Sequence, residues 1–249
     1  MNTFPTETDS SLHKLYTDLS WVYDLIYLRI FDYEKQYKLI ESSLQKNEVE
    51  TILEVGCGSG HLMTILEEKG YKVTGLDLSQ QMLEIARKNV KGELIKQDMR
   101  NIKTQHLFDA IVCLGRAFTY MTTNEDASSA LKSFYKNLNN GGILLFDNFE
   151  ERMFHPMGHS EWQENVHEFD DVSIKRRYRN RDYDPDYLTW HVDWEYIIEK
   201  DEKRQFIEDH SVLRQFRWHE MKQELIDSGF TNPRILDESS FTVIAEKRD

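Results

Sequence analysis

Thr51-Ile-Leu-Glu-Val-Gly-Cys-Gly-Ser-Gly-His61 is the stretch that decides the fold, because an apolar run leads straight into glycines at alternate positions, Gly56, Gly58 and Gly60. Glycine lets the backbone turn tightly at a strand end and approach a ligand that any Cβ would exclude. An acid follows at Asp77, and a strand, a glycine turn, a helix opening at His61 and an acid about 20 residues further on together mark a nucleoside-type cofactor site. The glycine spacing narrows the ligand. Dinucleotide sites prefer G-x-G-x-x-G, which sets a pyrophosphate on the helix N-terminus; here the third glycine comes one residue early and His61 takes its place, so a ligand without phosphates fits better.

Working outward, strands and helices alternate from Thr51: strands over 52–55, 72–76, 93–96, 108–114 and 143–147, with helices from His61 to Lys69, from Ser79 to Asn89 and from Asn124 to the stop Asn139-Asn140-Gly141-Gly142. That rhythm specifies a parallel α/β sheet. Before it, apolar and aromatic positions recurring at three and four over residues 10 to 46 predict one or two helices, broken near Phe31-Asp32-Tyr33. After it, alternating aromatic and charged residues between Phe149 and Trp218 predict four antiparallel strands, and a helix with two last strands closes the chain. Asp182-Tyr183-Asp184-Pro185-Asp186 reads as a hairpin connection rather than a calcium loop. The domain plan is an N-terminal helical cap over 1–47, an α/β domain over 48–149 and 217–249, and an antiparallel β insertion over 150–216. The insertion could cover the site or pair with another subunit as a homodimer contact.

The 249 residues suffice for one such domain with decoration, and 39% hydrophobic content with 4 prolines describes an ordered globular chain. A formal net charge of −13 removes the counterion-release term that drives duplex nucleic-acid binding. No basic start with an apolar h-region and no long apolar run is present, so a cytoplasmic protein without a membrane partner is expected. Cys57 and Cys113 lack metal or redox spacing and read as reduced small hydrophobes. His155 and His159 are four apart, but Pro156 and Gly158 between them break the helix face a metal would need, so no metal is expected.

With Glu54 two residues before the first glycine, E-V-G-C-G-S-G resembles motif I of class I S-adenosylmethionine-dependent methyltransferases. Y-D-L-I-Y at 23–27, G-L-D-L-S-Q-Q-M-L-E-I-A-R-K at 75–88, Q-D-M-R at 97–100 and F-D-A-I-V-C at 108–113 are similar to the branch that includes glycine N-methyltransferase-like and amino-sugar N,N-dimethyltransferases. The match covers roughly Tyr16 to Phe149 and the closing strands. It implies a Rossmann-like seven-stranded sheet with the last strand antiparallel, N-terminal helices, and a β insertion after the fifth strand.

The resemblance also implies roles. S-adenosylmethionine would lie against Glu54, Gly56, Cys57, Gly58 and Gly60. Asp77 would accept from the ribose hydroxyls, with Leu78 and Met82 beside it, Asp98 would take the adenine amino proton, and Met99 would pack on the ring. Leu114 and Gly115 would supply the fourth strand end, Tyr16 would touch the donor, and Arg29 would pair with its carboxylate. Tyr23 and Tyr120 stand as catalytic candidates; Tyr27, Tyr33, Arg116, Phe118 and Asn148 stand as contacts to a small-molecule acceptor. Arg116 departs from the small residue expected there and would suit an anionic group. Asp147 and His219 are further candidates for a base. The expected activity is methyl transfer to a small molecule, nitrogen favoured over oxygen; a nicotinamide-dependent oxidoreductase and a non-catalytic cofactor-binding module are the competing readings.

Overall fold

A computed structural model describes residues 12–248. Two helices come first, α1 (Ser20–Ile30) and α2 (Tyr33–Lys46). The chain breaks between them at Phe31-Asp32 because the Asp32 carboxylate caps α2, accepting from the Lys35 N–H at 2.8 Å. The alternating region then gives β1 (Thr51–Val55), α3 (His61–Glu68), β2 (Lys72–Asp77), α4 (Gln80–Ala86), β3 (Leu94–Lys96), β4 (Phe108–Cys113), α5 (Asn124–Asn137) and β5 (Leu138–Asp147). Four long strands follow, β6 (Gln163–Glu168), β7 (Val172–Asp184), β8 (Thr189–Lys200) and β9 (Lys203–Arg214), and the chain closes with α6 (Trp218–Asp227), β10 (Thr231–Asp237) and β11 (Thr242–Glu246).

The first sheet runs β10-β11-β5-β4-β1-β2-β3. Its members β1 to β5 pair in parallel, and β11 enters antiparallel to both β5 and β10. From β1 the chain steps outward one way to β2 and β3, then returns to β4 and β5 on the other side. The strand order therefore switches between β1 and β4, and a crevice opens at their carboxyl ends. Asn139-Asn140-Gly141-Gly142 is not the helix stop expected: α5 ends at Asn137 and these residues lie inside β5, which starts at Leu138. The C-terminal chain holds them there, with Gly141 donating to Lys247 O and Lys247 donating to Gly142 O, both at 2.8 Å.

The second sheet runs β6-β7-β8-β9, all antiparallel, with the turn at Asp184 closing the β7–β8 hairpin. One of its faces is apolar, and Val172, Ile174, Tyr196 and Ile198 pack on Leu15, Leu19, Val22 and Ile26 of the N-terminal segment. Residues Tyr37, Ile40 and Leu44 of α2 join the core of the first sheet instead. The N-terminal region is thus shared between two cores, and its first helix belongs with the insertion. Under the crevice, Phe118 is fully buried against Phe134, Phe146 and Phe216, with ring centroids 5.1 to 6.2 Å apart. Phe118→Ala is expected to destabilise the protein by about 3–5 kcal/mol through lost burial and the cavity left behind; chemical denaturation measures it, and a loss under 1 kcal/mol would contradict this placement.

Candidate active site

The glycine turn is fastened to the end of β2. The N–H groups of Gly56 and Cys57 both donate to Leu76 O, at 2.7 and 3.0 Å, and the Gly58 N–H donates to Asp77 Oδ2 at 2.9 Å. Asp77 Oδ1 accepts from the Ser79 N–H at 2.8 Å, and the Ser79 hydroxyl caps α4. Gly56 sits at φ +71°, and a Cβ there would come within 2.6 Å of the Ala117 methyl, so only glycine fits. A Cβ on Gly58 would face Met82 Cε at 3.4 Å and Tyr23 Oη at 3.7 Å, which puts the Tyr23 hydroxyl over the turn.

Two acids flank this turn, and both are pushed upward. Burial pushes Asp77 above the usual carboxyl range against the N–H groups of Ser79, Gly58 and Leu78, which pull it back. Burial, then the charges of Asp77 and Glu67, push Glu54 up to about 8. Its Oε2 is buried without a hydrogen-bond partner among the described residues.

Phenols line the side contributed by the N-terminal segment. Tyr16 and Tyr120 join hydroxyl to hydroxyl at 2.9 Å, Tyr16 leans on Tyr23 at 5.6 Å between centroids, and Tyr23 stacks on Tyr27 at 4.0 Å. Burial raises the pKa of Tyr16, Tyr23, Tyr27 and Tyr120, so all four stay protonated at neutral pH. Tyr33 packs over His61, and His61 Nε2 meets Asp24 Oδ1 at 2.8 Å, linking α1 to α3. Burial alone would raise Asp24, but the bond and charge of His61 outweigh it and hold the carboxyl low. The Ser79 hydroxyl donates to Tyr16 O and ties the same segment to α4.

Glu54, Gly56, Cys57, Leu114 and Gly115 share one small cavity with Tyr23 and Tyr33. Met82 is buried beside Gly58, while Leu78 is exposed. Asp98 is taken up by Arg100, accepting from its Nε at 3.0 Å, and Arg100 reaches on to Asp126; Met99 packs against the core. Three expected contacts lie elsewhere. Arg29 is exposed, donates to Glu168 O at 2.6 Å and stacks on Phe169, so the insertion holds it rather than the donor crevice. Arg116 donates to the carbonyls of Asn148 and Ser240 and lies over Phe149, which occupies the guanidinium intended for an acceptor. Phe118 turns into the core.

Asn148 is fully buried at the end of β5. Asp147 accepts from the N–H groups of Gly115 and Arg116, and His219 is exposed on α6, away from this crevice. Among the described residues no cluster of three or more His, Cys, Asp or Glu side chains could hold a metal, and no helix is long and apolar enough to cross a membrane. Sequence reasoning passed over the buried Tyr196 and Arg214 of the insertion, which lie in no motif, and the His61–Asp24 link, whose two residues stand in separate motifs 37 residues apart.

The sheet order, the reversed β11 and the glycine turn at the switch point are those of the class I S-adenosylmethionine-dependent methyltransferase fold. Residues 52–142 match a family model described as a methyltransferase domain. The dTDP-3-amino-3,4,6-trideoxy-alpha-D-glucopyranose N,N-dimethyltransferase of Streptomyces venezuelae is 34% identical over 131 residues, 51% of this chain and 55% of the relative. A glycine/sarcosine N-methyltransferase of Aphanothece halophytica is 33% identical over 113 residues, 42% of each. The chain spans about half the length of the curated relatives it matches. The sugar N-methyltransferase KedS8 from Streptoalloteichus sp ATCC 53650 superposes with a TM-score of 0.83 over 100% of this chain and 98% of its own, at 19% identity, and so shares the fold.

Because Glu54 is driven above its ordinary value of 4.5 to about 8, its contribution to stability is complete at low pH and is lost as pH rises through 8. Thermal melts of the ligand-free protein are expected to fall between about pH 5 and pH 8, and Glu54→Gln to fall less steeply; an identical slope in the variant would overturn the assignment.

Proposed function

We propose that this protein is an S-adenosylmethionine-dependent methyltransferase acting on a small molecule, with nitrogen favoured as acceptor. The observation that carries the reading is the Asp77 carboxylate, half-buried at the end of β2 and hydrogen-bonded to the Gly58 N–H of the glycine turn. The residues fit the donor. Asp77 accepts one N–H on each oxygen and keeps lone pairs for two ribose hydroxyls. Gly58 leaves room where a side chain would stand, and the unpartnered Glu54 Oε2 suits a cationic ligand.

When bound, S-adenosylmethionine supplies a methyl group on a positively charged sulfur. The chain's own tasks are to align the acceptor in line with that group and to exclude water. The ring of Tyr23 lines the pocket, backed by the Tyr27 ring stacked on it, and the Tyr16–Tyr120 hydroxyl pair offers both a donor and an acceptor to orient the nucleophile. Protonated phenols make poor bases. They suit an amine, which brings a free lone pair, better than a hydroxyl, which must lose its proton in the transfer. The N-methyltransferases among the relatives support the same choice.

Calorimetry tests the donor: S-adenosylhomocysteine is expected to bind and NAD not to, and the reverse would favour the oxidoreductase reading. Asp77→Ala is expected to weaken that binding by on the order of 2 kcal/mol through two lost ribose hydrogen bonds; unchanged affinity in a folded variant would remove Asp77 from the site. With labelled methyl donor and cell metabolites, the protein is expected to yield labelled product, and silence despite donor binding would point to a non-catalytic module.

A further inference from the structure

Tyr16, one half of the hydroxyl pair, stands on a single helical turn, Lys14–Tyr16. So short a turn leaves its N–H groups without partners of its own and cannot hold a side chain unaided. The Ser79 hydroxyl fastens it to α4 through Tyr16 O. The insertion fastens it from the other side: Lys14 Nζ donates to Glu208 O at 2.9 Å, and the Leu15 N–H lies 3.1 Å from Asp209 Oδ2.

Asp209 lies on β9 opposite Trp194 of β8, and its side chain is 6% exposed, against 5% for the His13 imidazole beside it. The Leu15 N–H is also 3.1 Å from His13 Nδ1, and that nitrogen touches the same carboxylate oxygen. A ring nitrogen and a carboxylate oxygen in contact need a proton between them, so Nδ1 donates to Asp209 and the Leu15 N–H belongs to the carboxylate. The imidazole held in this way packs on two rings, with centroids 5.4 Å from Tyr16 and 6.0 Å from Trp194, and Trp194 is tied by Nε1 to Ser211 Oγ at 3.0 Å. A buried carboxylate adds little net stability, because desolvation offsets its bonds; what it supplies is a single arrangement of the groups around it. Here that arrangement brings the Tyr16 hydroxyl to 2.9 Å from the hydroxyl of Tyr120.

We propose that Asp209, acting through His13 and the Leu15 N–H, is a positioning residue for methyl transfer: it sets the Tyr16 hydroxyl against Tyr120 and through that pair the orientation of the acceptor. The insertion thereby takes part in the reaction without its carboxylate reaching the reacting atoms. Donor binding stands apart from this device, since the glycine turn and Asp77 are fastened to each other and to the end of β2. The link to catalysis rests on the methyltransferase reading; the placement of Tyr16 does not.

The test uses the full chain and the variants D209A, Y16F and the two combined. In protein labelled with fluorotyrosine, the Tyr16 ¹⁹F resonance is assigned by its loss in Y16F. D209A is expected to shift it while the resonance of Tyr37, in the other core under α2, stays in place. H13Q cuts the same link from the opposite end, is expected to shift Tyr16 likewise, and serves should D209A fail to fold. With saturating labelled methyl donor and cell metabolites, D209A is expected to slow transfer roughly tenfold while changing S-adenosylhomocysteine affinity by less than about twofold. In the Y16F background the same substitution is expected to cost little more, because a residue that acts through Tyr16 has nothing left to place. A folded D209A with the wild-type Tyr16 resonance overturns the inference, and so do losses that simply add in the double variant. If the resonance moves as expected but the wild-type protein yields no labelled product, the methyltransferase reading fails and the placement of Tyr16 by Asp209 stands.

Discussion

Everything at the switch point hangs on one backbone oxygen. The carbonyl of Leu76 accepts two successive N–H groups from the glycine turn, Gly56 and Cys57, and the next residue, Asp77, takes the Gly58 N–H on its carboxylate. The turn leaves β1 and would otherwise expose three amides; the end of β2 satisfies all of them. This couples the position of Asp77 to the path of the loop. It also explains why the turn needs glycine at Gly56, where Ala117 approaches from the other side.

Around that fixed point the protein joins two cores of different origin. The first sheet presents the strand ends, whereas the inserted sheet and the N-terminal segment, packed on each other through Ile26 and Ile174, form the wall opposite. The phenols sit at the seam. Tyr16, Tyr23 and Tyr27 come from the wall and Tyr120 from the turn after β4, so the Tyr16–Tyr120 bond spans the two halves. Two polar links reinforce the seam, His61 with Asp24 and the Ser79 hydroxyl with Tyr16 O.

The parts of this arrangement that could be read from the chain are those determined over short distances. Gly56, Gly58 and Asp77 announce themselves because a strand end, a turn and an acid on the next strand end are local requirements, and the alternation of elements gives the sheet. What could not be read depends on partners remote in sequence. Arg116 looks available until Asn148 and Ser240 bring their carbonyls to it, and Arg29 looks free until Glu168 does the same. Phe118 follows a strand end, yet Phe216, almost a hundred residues later, draws it inward. Arg214 carries no signal at all: on an alternating strand it resembles any solvated charge, and only the fold brings Asn124 and the Phe216 ring against it.

The sharing of one apolar cluster between Leu15–Ile26 and Val172–Ile198 has a consequence for the order in which the molecule can assemble. The glycine turn needs only β1 and β2, which lie within a few dozen residues of each other, and contacts so close in sequence form early. The wall over it joins segments some 150 residues apart, so a chain emerging from the ribosome builds its crevice first and stays open to solvent until β8 has arrived. For that interval Leu15, Leu19, Val22 and Ile26 lack the insertion's half of their shared core, which leaves an apolar face of the N-terminal segment uncovered on the nascent chain.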